Sequence, residues 1–186
     1  MKLVAIVGTN AELSYNRFLL HWMRKHFAGV AEIEVLEIAG LPAFNEDLVT
    51  SEQDDVLAFA RKIEGADGVI ISCPEYDHSI PAALKSVLEW LSYQLNSLKD
   101  KPVLIVGGSY GPLGSARAQL HLRQILASPE IQANVLPGKE FLLGNVQQAI
   151  DSAGELTDLS SIADLEECFA EFVRYAQALQ RGWLQA

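Results

Sequence analysis

Two patterns of hydrophobic and polar positions alternate along the chain. Short apolar runs, which predict β-strands, are separated by longer segments in which apolar residues recur at three- and four-residue spacing, which predicts helices. The strands are predicted at 2–7, 32–38, 68–73, 102–106 and 132–136. The helices are predicted from Ser14, from Ser51 as an N-cap, from Pro81, over 115–127 and over 162–179.

This alternation is typical of α/β proteins, in which helices cover both faces of a parallel sheet. We therefore expect a five-stranded sheet in a three-layer arrangement. Ligands of such sheets bind beyond the carboxyl ends of the strands, near the switch in strand order. The loops after strands one, three and four, at 8–15, 74–80 and 107–114, are where the sequence predicts chemistry.

Composition and charge narrow the function classes. The chain has 186 residues, 49% of them hydrophobic and 20% charged, and a formal net charge of −10. This composition is ordinary for a globular protein, and we expect one domain over residues 1–186. The negative charge disfavours binding to nucleic acid or to an anionic membrane.

The chain also lacks the sequence features of export and membrane insertion. No apolar run approaches the roughly 20 residues that span a bilayer, and the opening run stops at Gly8, too early for a signal peptide. Cys73 and Cys168 fit no metal-binding spacing. We therefore expect a cytoplasmic protein with reduced thiols.

The first loop offers small polar side chains, Thr9, Asn10, Ser14 and Asn16, at the start of a helix. Free N–H groups at a helix start make a modest anion site. The loop is neither a P-loop nor a dinucleotide fingerprint, because Gly8 has no spaced partner glycines. On this loop alone, the simpler interpretation is a helix with Ser14 as its N-cap.

The second loop, between Pro74 and Pro81, holds an aromatic ring, two acids, an imidazole and a hydroxyl. Its prolines fix the backbone, so it can present polar groups rigidly to a planar heterocycle, with Tyr76 against the ring. A metal site built from Glu75, Asp77 and His78 is an alternative, although adjacent residues rarely converge on one ion. A general base at His78, or a solvated surface turn, remain further alternatives.

The third loop contains Gly-x-Ser-x-Gly at Gly107, Ser109 and Gly111, the spacing of a hydrolase nucleophile elbow. The hydrolase interpretation is disfavoured, because no acid lies between Ser109 and His121, the histidine that follows it. Glycines here also allow a close backbone approach to a flat ligand. On the helix behind, we expect Leu120 on the core face.

Three stretches together resemble the NADPH-dependent FMN reductases of the flavodoxin-like superfamily. The most specific is Pro74-Glu75-Tyr76-x-x-Ser79-x-Pro81-x-x-Leu84-Lys85, which continues to Trp90 and resembles the stretch that lines the flavin ring. The run 111–124 resembles a further segment of the family. Gly8, Ser14 and Asn16 match the loop where the family holds the FMN phosphate.

The resemblance implies a flavodoxin-like three-layer sandwich with a five-stranded parallel sheet of order 2-1-3-4-5. It implies an oxidoreductase that passes electrons from NADPH through FMN to a small acceptor, which is a flavin, a quinone, an azo compound or a metal oxyanion. No acid–base residue is obligatory, because the flavin supplies the chemistry. The cofactor-binding residues it implies are Thr9, Ser14, Tyr15, Asn16, Pro74, Glu75, Tyr76, Asp77, Ser79, Gly108, Ser109, Tyr110 and Gly111.

The sequence departs from the family pattern in the first and second loops. Ala11 stands where the family usually has Arg, Glu12 adds a negative charge, and Asp77 replaces the usual Asn. The alternative function is therefore a non-enzymatic flavin-binding or electron-carrier protein, or a degenerate member with weak FMN binding.

The resemblance also implies a homodimer or homotetramer. The candidate contacts are the stretch 84–93 and the helix that carries Arg117 and Arg123. From the residues alone, the favoured interpretation is that both arginines are solvated surface charges, and ion pairs or a subunit contact are the alternative.

Overall fold

The computed structural model describes residues 1–183 and confirms the predicted α/β architecture. Its strands are β1 (Lys2–Val7), β2 (Glu32–Glu37), β3 (Gly68–Ser72), β4 (Pro102–Gly108), β5 (Asn134–Val135) and β6 (Phe141–Leu143). The order is β2-β1-β3-β4-β5, β6 also pairs with β4, and every pairing is parallel. This is the flavodoxin-like order 2-1-3-4-5.

The helices are α1 (Tyr15–His26), α2 (Asp54–Glu64), α3 (Ala82–Ser92), α4 (Ala116–Leu126), α5 (Val146–Ala149) and α6 (Leu159–Trp183). Alternate residues of each strand face opposite layers, so the sheet divides the core in two. Leu3, Ala5 and Val7 of β1 pack with α1 and α6, whereas Val4 and Ile6 pack with α2, α3 and α4.

The fifth strand position of the sheet, next to β4, is occupied by two short strands instead of the single strand predicted from the sequence. The strand predicted at 132–136 shrinks to β5, which pairs with the start of β4, and β6 pairs with its end. Between them Gly138 has a φ of +75°. The Arg123 guanidinium donates to the carbonyls of Leu136 and Lys139 in this gap. The prediction of a solvated Arg123 was therefore wrong, because the interrupted strand leaves carbonyls that its guanidinium pairs with.

Two further predictions were wrong in detail. Ser51 is not an N-cap, because it lies inside a short 3-10 helix (Thr50–Glu52) and α2 begins after Gln53. Leu120 is 59% exposed, because the core face of α4 follows the four-residue spacing of Ala118, Leu122 and Leu126. Among the described residues, no helix is both long enough and apolar enough to cross a membrane.

Candidate functional site

The three predicted loops meet at the carboxyl ends of β1, β3 and β4 and enclose one cavity of about 370 Å³. A volume of this size is typical of small-molecule sites. The predicted residues that line it are Ser14, Tyr15, Asn16, Pro74, Glu75, Tyr76, Asp77, Gly108, Ser109, Tyr110 and Gly111. Thr9 and Ser79 do not line it. The loops that the sequence singled out therefore form one site, and two of the predicted side chains lie behind it.

The first loop ends in a capped helix, as predicted. The Ser14 hydroxyl accepts a hydrogen bond of 3.3 Å from the backbone N–H of Arg17. The N–H groups before it, at the first turn of α1, have no partner within the helix. They lie at the positive end of the helix dipole and beside the cavity, so this wall offers donors to an anion.

Thr9 is almost fully buried and bonded to its own chain. Its Oγ1 accepts from the N–H of Ala11 at 3.2 Å and lies 2.8 Å from the phenol oxygen of Tyr76. The second bond joins the first loop to the second. Thr9 therefore shapes the site from behind instead of facing the cavity.

Asn16 is 5% exposed, and its amide joins three elements. Its Oδ1 accepts from the Ser72 hydroxyl at 2.9 Å and from the N–H of Gly108 at 3.0 Å, and its Nδ2 donates to the carbonyl of Gly108 at 3.1 Å. The side chain thus fixes the start of α1 to the ends of β3 and β4. What Asn16 offers a ligand is mainly its backbone N–H.

Arg17 was not predicted from the sequence to belong to the site. Its Nε and Nη2 donate to the two carboxylate oxygens of Glu37, at 2.6 and 2.8 Å. Its Nη1 donates to the carbonyls of Ala11 and Glu12, both at 2.7 Å. The hydrogen bond to Glu37 raises the pKa of Arg17. Arg17 therefore stabilises the first loop through hydrogen bonds made outside the cavity, and it places a positive charge beside the loop. No local pattern marks this role, because Glu37 lies on β2.

The second loop is a tight two-residue hairpin. Tyr76 and Ser79 exchange backbone hydrogen bonds of 3.0 and 2.9 Å, and Asp77 and His78 between them have φ values of +49° and +64°. Left-handed φ at both central positions defines a type I′ turn, in which aspartate is tolerated well. The Ser79 hydroxyl points away from the cavity and lies 2.8 Å from Nδ1 of His121.

Glu75 connects the second loop to α4. Its Oε2 accepts from the N–H groups of Arg117 and Ala118, at 3.0 and 3.3 Å, and its Oε1 lies 3.2 Å from the Arg117 guanidinium. The residue at the N-cap position, Ser115, has a left-handed backbone and makes no side-chain cap. A carboxylate from a distant loop therefore caps α4 and complements its dipole.

Two of the alternative chemistries, the hydrolase and the metal site, receive no geometric support from the described residues, whereas His78 does line the cavity. Ser109 donates its hydroxyl to the carbonyl of Gly111 at 3.0 Å, and His121 is hydrogen-bonded to Ser79, so the serine and the histidine of a hydrolase pair do not meet. Within residues 1–183, no group of three or more His, Cys, Asp or Glu side chains is arranged to hold a metal ion.

The glycines of the third loop have two different roles. A Cβ at Gly107 would lie 2.5 Å from the Cys73 carbonyl oxygen, and one at Gly108 would lie 2.5 Å from Val146. These two glycines are required by packing within the chain. A Cβ at Gly111 would meet nothing within 4 Å. Gly111 alone of the three leaves space for a ligand against the backbone.

Aromatic and aliphatic side chains form the mouth of the cavity. Tyr15 and Tyr110 meet edge to face with ring centroids 5.8 Å apart, and Tyr110 is 67% exposed. Leu13 and Leu113, which the sequence analysis did not single out, also line the cavity and are exposed. Such a mouth suits a flat, partly apolar ligand.

These features fit FMN. The first turn of α1 and the Ser14 hydroxyl supply hydrogen-bond donors for a phosphate. The open space at Gly111 and the rigid turn at Tyr76 leave room for a planar ring between the second and third loops.

Comparison with known proteins identifies the family. The family model described as NADPH-dependent FMN reductase matches residues 1–148. The chain belongs to this family. A subunit of an NADH:(hydroxy)cinnamate reductase from Vibrio ruber is 52% identical over 181 residues, with 97% of this chain and 90% of the relative covered. Subunit 2 of an NADH-dependent flavin reductase from Lactobacillus johnsonii is 46% identical, with 97% and 100% covered.

A solved structure agrees with this assignment. The flavoenzyme NAD(P)H:(acceptor) oxidoreductase from Paracoccus denitrificans superposes with a TM-score of 0.81 at 28% identity, covering 95% of this chain and 97% of the other. The chain is thus an oxidoreductase of the FMN reductase family with a flavodoxin-like fold. The resemblance noted from the loops, and the cofactor types it implied, FMN and a nicotinamide dinucleotide, are confirmed.

Proposed function

We propose that the chain binds FMN in the cavity formed by its three loops and reduces small planar acceptors with electrons from NADH or NADPH. The observation that carries the proposal is the convergence of residues from all three loops on one cavity of about 370 Å³. With a quinone, the balanced reaction is NAD(P)H + H⁺ + quinone giving NAD(P)⁺ + hydroquinone. We propose that the chain forms a single flavodoxin-like domain and that this domain catalyses the reaction.

The phosphate end of the site lies at the start of α1. Ser14 and the backbone N–H groups of Tyr15 and Asn16 hold the phosphate, and Thr9 supports them from behind through its bonds to Ala11 and Tyr76. Backbone N–H groups donate charge-assisted hydrogen bonds to a phosphate, so the phosphate is held here although position 11 is Ala.

The ring end lies between the second and third loops. Pro74, Glu75, Tyr76 and Asp77 line one wall, and Ser79 fixes the turn that carries them. Gly108, Ser109, Tyr110 and Gly111 form the opposite wall, where Gly111 leaves the open space.

The protein orients its ligands and excludes water, and no residue is assigned a proton-transfer role. FMN, when bound, supplies the hydride-accepting and electron-donating chemistry. Tyr110, Leu13 and Leu113 lie at the mouth, where they would shield a bound ring from solvent. NAD(P)H and the acceptor use the same mouth in turn, so we expect ping-pong kinetics. Double-reciprocal plots of the initial rate at different acceptor concentrations should then give parallel lines.

The experiment compares two valine substitutions in steady-state assays with FMN, NADH or NADPH, and a neutral quinone. A Cβ at Gly111 would meet nothing within 4 Å, so Gly111→Val places its side chain in the open space at the site, and Gly29→Val adds the same atoms at an open position after α1, away from the cavity. We expect Gly111→Val to raise the Kd for FMN at least tenfold, and Gly29→Val to match the wild type. FMN binding without oxidation of either dinucleotide would favour the electron-carrier alternative.

We also propose that the protein is a homodimer or homotetramer in the cytoplasm. The subunit names of the relatives from Vibrio ruber and Lactobacillus johnsonii support assembly. The exposed Leu120 on α4 and Tyr93 at the end of α3 support the two predicted contact regions. Light scattering on the purified protein tests this, and a monomer at micromolar concentration would overturn it.

A further inference from the structure

The charged side chains that line the cavity are not equally neutralised. Glu75 and Arg117 form an ion pair of 3.2 Å, and Glu75 also accepts two backbone N–H groups at the start of α4. Asp77 lines the same cavity and is exposed, and its carboxylate makes no hydrogen bond or ion pair with any other residue in 1–183. His78 also lines the cavity, and with this imidazole counted as neutral the uncompensated formal charge of the wall is negative.

The backbone keeps Asp77 at the wall of the cavity. It is the first central residue of the type I′ turn, with a φ of +49°, and both backbone hydrogen bonds of the turn are formed by its neighbours Tyr76 and Ser79. Tyr76 is itself held by Thr9 on the first loop, at 2.8 Å. The turn consequently keeps Asp77 at the wall of the cavity that an acceptor would enter.

We propose that Asp77 is a specificity-determining residue that selects against anionic electron acceptors. This inference rests on the proposed function, and it means that the site favours neutral or cationic planar acceptors, such as uncharged quinones. Metal oxyanions and sulfonated aromatic compounds are disfavoured. The formal net charge of −10 acts in the same direction at long range.

The expected size of the effect follows from Coulomb's law. For a unit negative charge about 8 Å from the carboxylate, in an effective dielectric constant of about 40 to 80, repulsion weakens binding about two- to sixfold. The effect is expected to shrink at about 0.5 M salt, where the screening length falls below this separation.

The kinetic test uses a neutral naphthoquinone and its sulfonated derivative at pH 8 and low salt. Asp77→Asn removes the charge and keeps the shape, and asparagine tolerates the left-handed backbone at least as well. Glu130→Gln makes the same change of charge on an exposed loop before β5. This loop lies toward the amino ends of the strands, away from the cavity at their carboxyl ends. We expect Asp77→Asn to raise the ratio of kcat/KM for the sulfonated quinone to that for the neutral quinone about two- to sixfold. Glu130→Gln should leave it within about 1.5-fold of the wild type.

A binding test separates this inference from the proposed activity. The Kd values of naphthalene sulfonate and of neutral naphthalene sulfonamide, which are redox-inert probes, are measured by calorimetry on the FMN-supplemented protein. Preference for the neutral probe, reduced in Asp77→Asn, supports the inference even if no quinone is turned over, in which case the proposed function alone fails. Equal changes in Asp77→Asn and Glu130→Gln, or no change in either, would overturn the assignment of Asp77.

Discussion

Replacing Asn16 with alanine tests how the site is attached to the sheet. The substitution removes three buried hydrogen bonds, to Ser72 and to both backbone groups of Gly108. Each is worth about 1 kcal/mol net, and the polar groups left behind in the core add a further cost. We expect the free energy of unfolding to fall by about 3–4 kcal/mol, which corresponds to a decrease in Tm of roughly 6–16 °C for a domain of this size.

The assay is urea unfolding followed by tryptophan fluorescence and circular dichroism, with linear extrapolation to water. Asn134→Ala is the matched control, because it removes a single exposed hydrogen bond to the Asp100 carbonyl, 2.9 Å long. We expect that control to lose less than about 1 kcal/mol. If Asn16→Ala and Asn134→Ala cost the same, the amide of Asn16 does not hold the loops together, and its assigned role is wrong.

The remaining predictions concern other parts of the site and core. Glu75→Ala removes the carboxylate that caps α4, and should lower the free energy of unfolding by about 1–2 kcal/mol in the same assay, whereas an unchanged value would show that the cap is not stabilising. Gly107→Ala, which forces a Cβ to within 2.5 Å of the Cys73 carbonyl, should cost about 1–3 kcal/mol, and full stability would contradict the packing role. Burial raises the pKa of Cys73 to about 12 and of Cys168 to about 11, so both thiols should resist a thiol reagent at pH 8 until the chain unfolds. Because the folded state keeps protons that the unfolded thiols release above about pH 9, stability should fall as the pH rises past that value.

The parts of the fold that follow from local pattern were predictable. β1, β3 and β4 are continuous apolar runs, and the stripe of Leu84 and Leu88 on α3 has helical spacing. β6 escaped prediction because three residues carry too little pattern. Their strand conformation depends on pairing with the end of β4, and that pairing is not local in sequence.

The location of the site was predictable, whereas several of its side-chain roles were not. The loops could be placed because parallel strands end at one edge of a sheet. Asn16 was assigned to a ligand, yet its partners lie on β3 and β4, 56 and 92 residues away. The same holds for Glu75, whose carboxylate caps a helix 42 residues later. Distant hydrogen bonds leave no periodic trace in the sequence.

Titration of the purified, flavin-free protein with FMN is the measurement that tests the central claim most directly. Quenching of FMN fluorescence should show one site per chain with a Kd in the micromolar range or below, and Gly111→Val should weaken it while Gly29→Val does not. Absence of saturable binding at 100 µM FMN, with the protein folded by circular dichroism, would contradict the claim that the three loops form a flavin site.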